Sequence, residues 1–91
     1  MSEGNRILII DDHPLFRKGV SQLIAMAPHL QLVGEAADGE QGVAKARELD
    51  PDLILLDLHM QRMNGIDTLK AIRDACLDCR VVILTVSDNA D

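Results

Sequence analysis

Residues 52–65 read DLILLDLHMQRMNG, and the rest of the chain is organised around them. Leu53, Ile54, Leu55 and Leu56 form an apolar run without alternation. Such a run, bounded by turn signals, suits a strand buried on both faces. Asp57 ends it. A carboxylate is costly inside a core unless it is paired or bound to a cation. The run therefore predicts an Asp57 just past the carboxyl end of a strand, facing a crevice. Taken alone, the stretch is equally consistent with an Asp57 that only caps a turn.

Upstream, Arg6 to Ile10 reads RILII, a second apolar strand, and it ends in Asp11 and Asp12. His13-Pro14 follows, and Pro14 suits the first turn of a helix. Phe16, Val20, Leu23, Ile24 and Ala27 make one helical stripe. Gly19 weakens that helix and Pro28 ends it. Leu30 to Ala36 reads as a strand. Asp38 is the expected N-cap of the next helix, with Gln41 completing a capping box. That helix runs to about Leu49 with Val43, Ala46 and Leu49 inward, and Asp50-Pro51 breaks it.

Downstream, Asn64 is the expected N-cap of a helix with Asp67 in its first turn. Its buried stripe is Ile66, Leu69, Ile72 and Cys76. Arg80 to Val86 reads RVVILTV, a fourth strand. Ser87-Asp88 resembles the cap of a helix near the end of the sequence. Apolar strands alternating with helices imply an α/β fold. Its sheet is parallel and covered on both faces, with right-handed crossovers.

The sequence has 91 residues, 47% of them apolar, and a single aromatic, Phe16. This predicts one small globular domain packed with aliphatic side chains. A net charge of −6 argues against direct binding to nucleic acid or to an anionic membrane. No apolar run approaches the roughly 18 residues that span a bilayer. Residues 1–6 carry no signal-peptide pattern, so a cytoplasmic setting is expected. Cys76 and Cys79 lack the second pair that a zinc site needs. They also follow a late helix, the wrong context for a redox pair, so they read as structural or incidental.

In a doubly wound sheet, ligands bind beyond the carboxyl ends of the strands. If the strands ending at Asp11–Asp12 and at Asp57 are neighbours, three carboxylates converge. Unneutralised, they repel one another. A hard divalent cation relieves this, and magnesium prefers oxygen ligands with waters and a phosphate oxygen. Such a cluster suits phosphoryl transfer. Thr85, near the end of the fourth strand, can donate a hydroxyl to a phosphoryl oxygen there. An ordinary β-branched strand residue accounts for it as well.

IIDDHPLFRKGV, LILLDLHMQRMNG and VVILTVSD resemble the response-regulator receiver domain of two-component signalling. DDHPLFRKGV and GEAADGEQGVAKARELDPDLILLDL are most similar to the nitrate/nitrite regulators of the NarL/NarP group. The resemblance covers essentially the whole chain. It implies a flavodoxin-like sheet of order 2-1-3-4-5. It makes Asp57 the acceptor of phosphate from a sensor histidine kinase. Asp12 resembles the direct Mg2+ ligand, and Asp11 the acidic neighbour acting through water. The backbone carbonyl of His59 resembles a third protein ligand. Thr85 resembles the switch hydroxyl.

Two departures stand out. Gln61 occupies a position where the family usually has proline, which should loosen that loop slightly. The family's fifth strand, its lysine, its last two helices and a helix-turn-helix DNA-binding domain would lie beyond Asp91. Residues 1–91 are thus expected to be a receiver incomplete at its C-terminus, with order 2-1-3-4 and no DNA-binding domain. Neither Lys45 nor Lys70 lies at a strand end to replace the lysine.

A magnesium-dependent aspartyl phosphohydrolase is the competing reading. Such enzymes place a second acid two residues after the nucleophile, where this chain has His59. A signalling receiver, not an enzyme, is therefore expected. An interaction module without phosphorylation is the third reading, and the intact acidic set argues against it. Order 2-1-3-4 leaves the apolar fourth strand as an edge and uncovers the Phe16–Val20–Leu23 side of the first helix. A homodimer through that strand, or by element exchange, is expected.

Overall fold

In a computed structural model of the protein, residues 5–57, 65–75 and 78–84 are described. Within these residues, four strands alternate with three helices. They are β1 (Asn5–Ile10), α1 (Pro14–Met26), β2 (Leu30–Ala36), α2 (Gly39–Leu49), β3 (Leu53–Asp57), α3 (Gly65–Ala75) and β4 (Arg80–Leu84). The sheet is parallel throughout, in the order β2-β1-β3-β4. This is the doubly wound arrangement expected from the alternating apolar runs.

The step from β1 to β2 runs one way across the sheet, and later steps run the other way. With right-handed crossovers, that reversal sends helices to opposite faces. On one face, Leu8, Ile10, Ile54 and Leu56 pack with Ala36, Ala46, Ile72 and Cys79. On the other, Ile7 and Ile9 pack with Ile24, and Val20, Leu53 and Leu55 join them. The strict alternation within β1 follows from the period-two geometry of a strand.

Helix ends follow local chemistry. Asp38 caps α2, its Oδ1 accepting from the backbone N–H of Gln41 at 2.8 Å. The Gln41 side-chain amide donates to Asp38 Oδ2 at 3.5 Å, a side-chain contact in place of the capping-box bond to the Asp38 backbone N–H. At the other end Asp50 takes a left-handed conformation, φ 49°, before Pro51. Gly42 is set by a close approach. A Cβ there would lie 2.5–2.9 Å from three side-chain atoms of Ile10. Only glycine lets α2 lie this near the end of β1.

Asp52 ties three strands together at the end of the sheet where they begin. Its N–H donates to the Arg6 carbonyl at 2.8 Å, and its carbonyl accepts from the Arg80 N–H at 3.0 Å. Its side chain accepts from the Arg6 N–H at 2.9 Å.

Several positions differ from the sequence-based expectation. Leu23, assigned to the α1 stripe, is 67% exposed. Ile24 alone in that helix is buried. In α3, Ile66 is exposed, and Thr68 takes the inward position beside Ile72. Asp57 lies within β3 rather than just past it. The β1–β2 register shifts between Ile7 and Leu8, so that Ile7 pairs with Leu32 and Leu8 with Gly34. Val33 is the bulged residue. The assignments at Asn64, Cys76 and Val86 lie outside the described residues.

Candidate functional site

β1 and β3 are direct neighbours, with Ile10 paired to Leu56. Each strand's last apolar residue is followed by an aspartate, so Asp11 and Asp57 emerge side by side. Both are buried, at 1% exposure. The ladder continues one residue past β1, since the Asp11 N–H donates to the Ala36 carbonyl at 3.0 Å. Asp12 stands next to them and is partly exposed. The sequence-predicted acidic trio is therefore brought together. His59 and Thr85, the other two predicted site residues, lie outside the described residues.

A fourth side chain joins the cluster. His13 Nδ1 lies 2.9 Å from Asp11 Oδ1, 3.2 Å from Asp12 Oδ1 and 3.5 Å from Asp57 Oδ2. Its backbone N–H also donates to Asp11 Oδ1, at 2.8 Å. This is an Asx turn, in which an aspartate binds the N–H two residues on. It leads directly into α1, with His13 as N-cap and Pro14 in the first turn. The hydrogen bond to Asp11 raises the imidazole pKa above its usual 6.5. Lost hydration opposes the rise, while the charges of Asp11, Asp12 and Asp57 add to it.

Arg17, one turn into α1, holds the loop from behind. Its Nη1 donates to the Asp11 carbonyl at 2.7 Å, and its Nε to Glu35 Oε1 on β2 at 3.3 Å. Neither His13 nor Arg17 was assigned to the site from sequence. The Asp-x-His-Pro spacing was the available signal, because an Asx turn followed by proline fixes where the imidazole starts.

One ligand atom from each of Asp11, Asp12, His13 and Asp57 can be chosen so that all lie within 4.8 Å of one another. Asp11 Oδ2 is buried and makes no hydrogen bond. A buried carboxylate oxygen in that state, beside two further carboxylates, is what a hard cation would relieve. The donor set therefore fits magnesium. Among the described residues, no helix is long and apolar enough to cross a membrane.

Comparison with known proteins agrees with this geometry. Residues 7–91 match the response regulator receiver domain family. The chain is 55% identical over 89 residues to the nitrate/nitrite response regulator protein NarL of Escherichia coli strain K12. That match covers 98% of this chain and 41% of NarL. NarP of the same strain is 48% identical over 83 residues, covering 91% of this chain and 39% of NarP. Among solved structures, the signal receiver domain of the response regulator NarL from Mycobacterium tuberculosis matches with a TM-score of 0.86 at 35% identity. It covers 98% of this chain and 72% of that one. The chain thus spans about two fifths of the length of the curated relatives it matches.

Proposed function

The chain belongs to the response regulator receiver domain family, and from that membership we propose that Asp57 accepts a phosphoryl group from the phosphohistidine of a sensor kinase. The family works in two-component signalling, and its members are not enzymes in general. The observation that carries the reading is the meeting of Asp11, Asp12 and Asp57 at one end of the sheet.

The chemistry is a direct transfer. A carboxylate oxygen of Asp57 attacks phosphorus. The P–N bond to the kinase histidine breaks, and that imidazole leaves with the electron pair and takes up a proton. The product is an acyl phosphate on Asp57. Asp11, Asp12, Asp57 and the His59 carbonyl would hold Mg2+, whose charge offsets that of the incoming phosphoryl group. Thr85 would donate its hydroxyl to a phosphoryl oxygen. We assign residues 1–91 to a receiver unit in the cytoplasm, acting in control of transcription. Direct contact with DNA is not assigned to these residues, given their net charge of −6.

We also assign self-association to the apolar edge. Val82 on β4 is 43% exposed, and Ile83 beside it is also open. Among the described residues β4 ends the sheet. An apolar edge strand is a template for pairing with a second copy.

The test is incubation with a small phosphodonor and Mg2+, followed by intact mass. One phosphate should be added to the native chain and none to Asp57→Asn, whose amide is no nucleophile for this transfer. Rapid donor turnover without a lasting adduct would favour a phosphohydrolase. Full phosphate uptake by Asp57→Asn would refute the acceptor assignment.

A further inference from the structure

We propose that the His13 imidazole is itself a metal donor at the acidic crevice, so that the site discriminates in favour of borderline transition ions such as Co2+ and Ni2+. The inference rests on reading the crevice as a divalent-cation site, and adds a nitrogen to its oxygen donors.

Geometry is the first support. His13 Nδ1 faces one oxygen from each of three carboxylates, at 2.9, 3.2 and 3.5 Å, and an ion bound there would replace its hydrogen bond to Asp11 Oδ1. Metal–ligand bonds of ~2.1 Å at angles of 90–110° separate neighbouring donors by roughly 3.0–3.4 Å. The imidazole nitrogen already lies at close to those separations from oxygens on Asp11, Asp12 and Asp57. Asp11 Oδ2, buried and without a hydrogen bond, is an independent sign that this face is built for a cation.

The placement of the ring is local. The Asx turn to Asp11 fixes the His13 backbone, and Pro14 restricts the chain immediately after it. The side chain is 60% exposed, so small adjustments toward an ion disturb no core packing.

Ligand softness then separates the ions. Magnesium takes oxygen and keeps several waters, so an imidazole adds little to its binding. Imidazole suits nickel, copper, zinc and iron, and affinity at a mixed nitrogen–oxygen site follows the Irving–Williams order. An all-oxygen site would also favour nickel over magnesium to some degree. The diagnostic quantity is therefore how the preference changes when the imidazole is removed.

The experiment titrates the whole chain with Mg2+, Co2+ and Ni2+ by calorimetry at one fixed pH, and records the visible spectrum of the Co2+ form. His13→Ala and His13→Asn are compared with the native protein, with circular dichroism to verify folding. Removing the imidazole should weaken Co2+ and Ni2+ by about tenfold or more, and alter the Co2+ bands, while Mg2+ changes by less than about twofold. Unchanged Co2+ and Ni2+ affinities in both variants, with Mg2+ still bound, would overturn the inference and leave the cation site standing. Equal weakening of all three ions would overturn it too, since His13 would then act only on the shape of the site. No binding of any divalent ion to the native chain would overturn both readings.

Discussion

Ile10 and Leu56 are partners in adjacent parallel strands, and the residue after each is a buried aspartate. The closeness of Asp11 and Asp57 is thus a property of the main chain, because paired strands lie about 4.8 Å apart. Two buried carboxylates held that close destabilise the fold unless a cation offsets them. Without divalent cations, Asp57→Asn should raise stability, on the order of 1 kcal/mol by the usual effect of relieving a buried like-charge pair. Urea unfolding in the presence of a chelator measures this. A lower midpoint in the variant would show that His13 already compensates the cluster in full.

Saturating Mg2+ should reverse that order. A ligand at about a hundred times its Kd stabilises by about 2.7 kcal/mol when it binds only the folded state. The native chain should gain more from the ion than Asp57→Asn does. Melting curves at several Mg2+ concentrations would show the two proteins converging or crossing. Parallel curves would remove Asp57 from the ligand set.

Gly42 and Gly19 predict opposite outcomes for one substitution. A methyl group at Gly42 meets three Ile10 atoms within 2.9 Å, and at Gly19 it meets nothing within 4 Å. Gly42→Ala should cost about 1–3 kcal/mol through overpacking. Gly19→Ala, on the exposed side of α1, should stabilise by about 0.5–1 kcal/mol through helix propensity. Chemical denaturation of the two variants side by side decides it. A destabilised Gly19→Ala would show that α1 has a close neighbour on that side.

Val82→Lys tests self-association. Sedimentation of the native chain at rising micromolar concentration should show a dimer, and the lysine variant a monomer at the same concentrations. An intact dimer in the variant would move the interface elsewhere, with Leu15, Leu23 and Met26 as the next exposed apolar group.

Arg17 predicts an effect at a distance. Its guanidinium donates to the Asp11 main chain and, through Nε, to Glu35 on β2. Arg17→Ala should weaken cation binding by about tenfold, as loss of an orienting partner typically does. Arg17→Lys should recover part of it, since one donor suffices to reach the Asp11 carbonyl. Equal Mg2+ affinities across the three proteins would show that the Asx turn alone holds the loop.

The strands and the acidic trio were legible because their signals are strong and local. LILLD and RILIIDD announce buried strands, each ending in acid. The neighbour relation of β1 and β3 was only conditional on the sequence pattern. It became an expectation through family resemblance, and the sheet order bears it out. Choices between near-equivalent stripes were less legible. On α3, hydrophobicity selects Ile66, Leu69 and Ile72, yet Thr68 is buried and Ile66 is open. Both sets have helical spacing, and only the neighbouring elements decide between them. The role of His13 is hidden in the sequence, because an imidazole before proline reads as a helix start. Its meeting with Asp57 arises only through the sheet.

Asp52 has no contact with the acidic crevice, yet it governs which residue arrives there. Side chains alternate along a strand, so a slip of one residue in β3 would present a leucine where Asp57 now stands. Asp52 opposes that slip from the far end. It fastens β3 to Arg6 on one side and to Arg80 on the other. Five residues of strand, roughly 17 Å at about 3.3 Å each, carry that choice to the crevice. The chain thus selects which side chain enters the acidic crevice by counting from a distant anchor, and damage at the anchor would be felt first as a loss of the proposed phosphoryl acceptor.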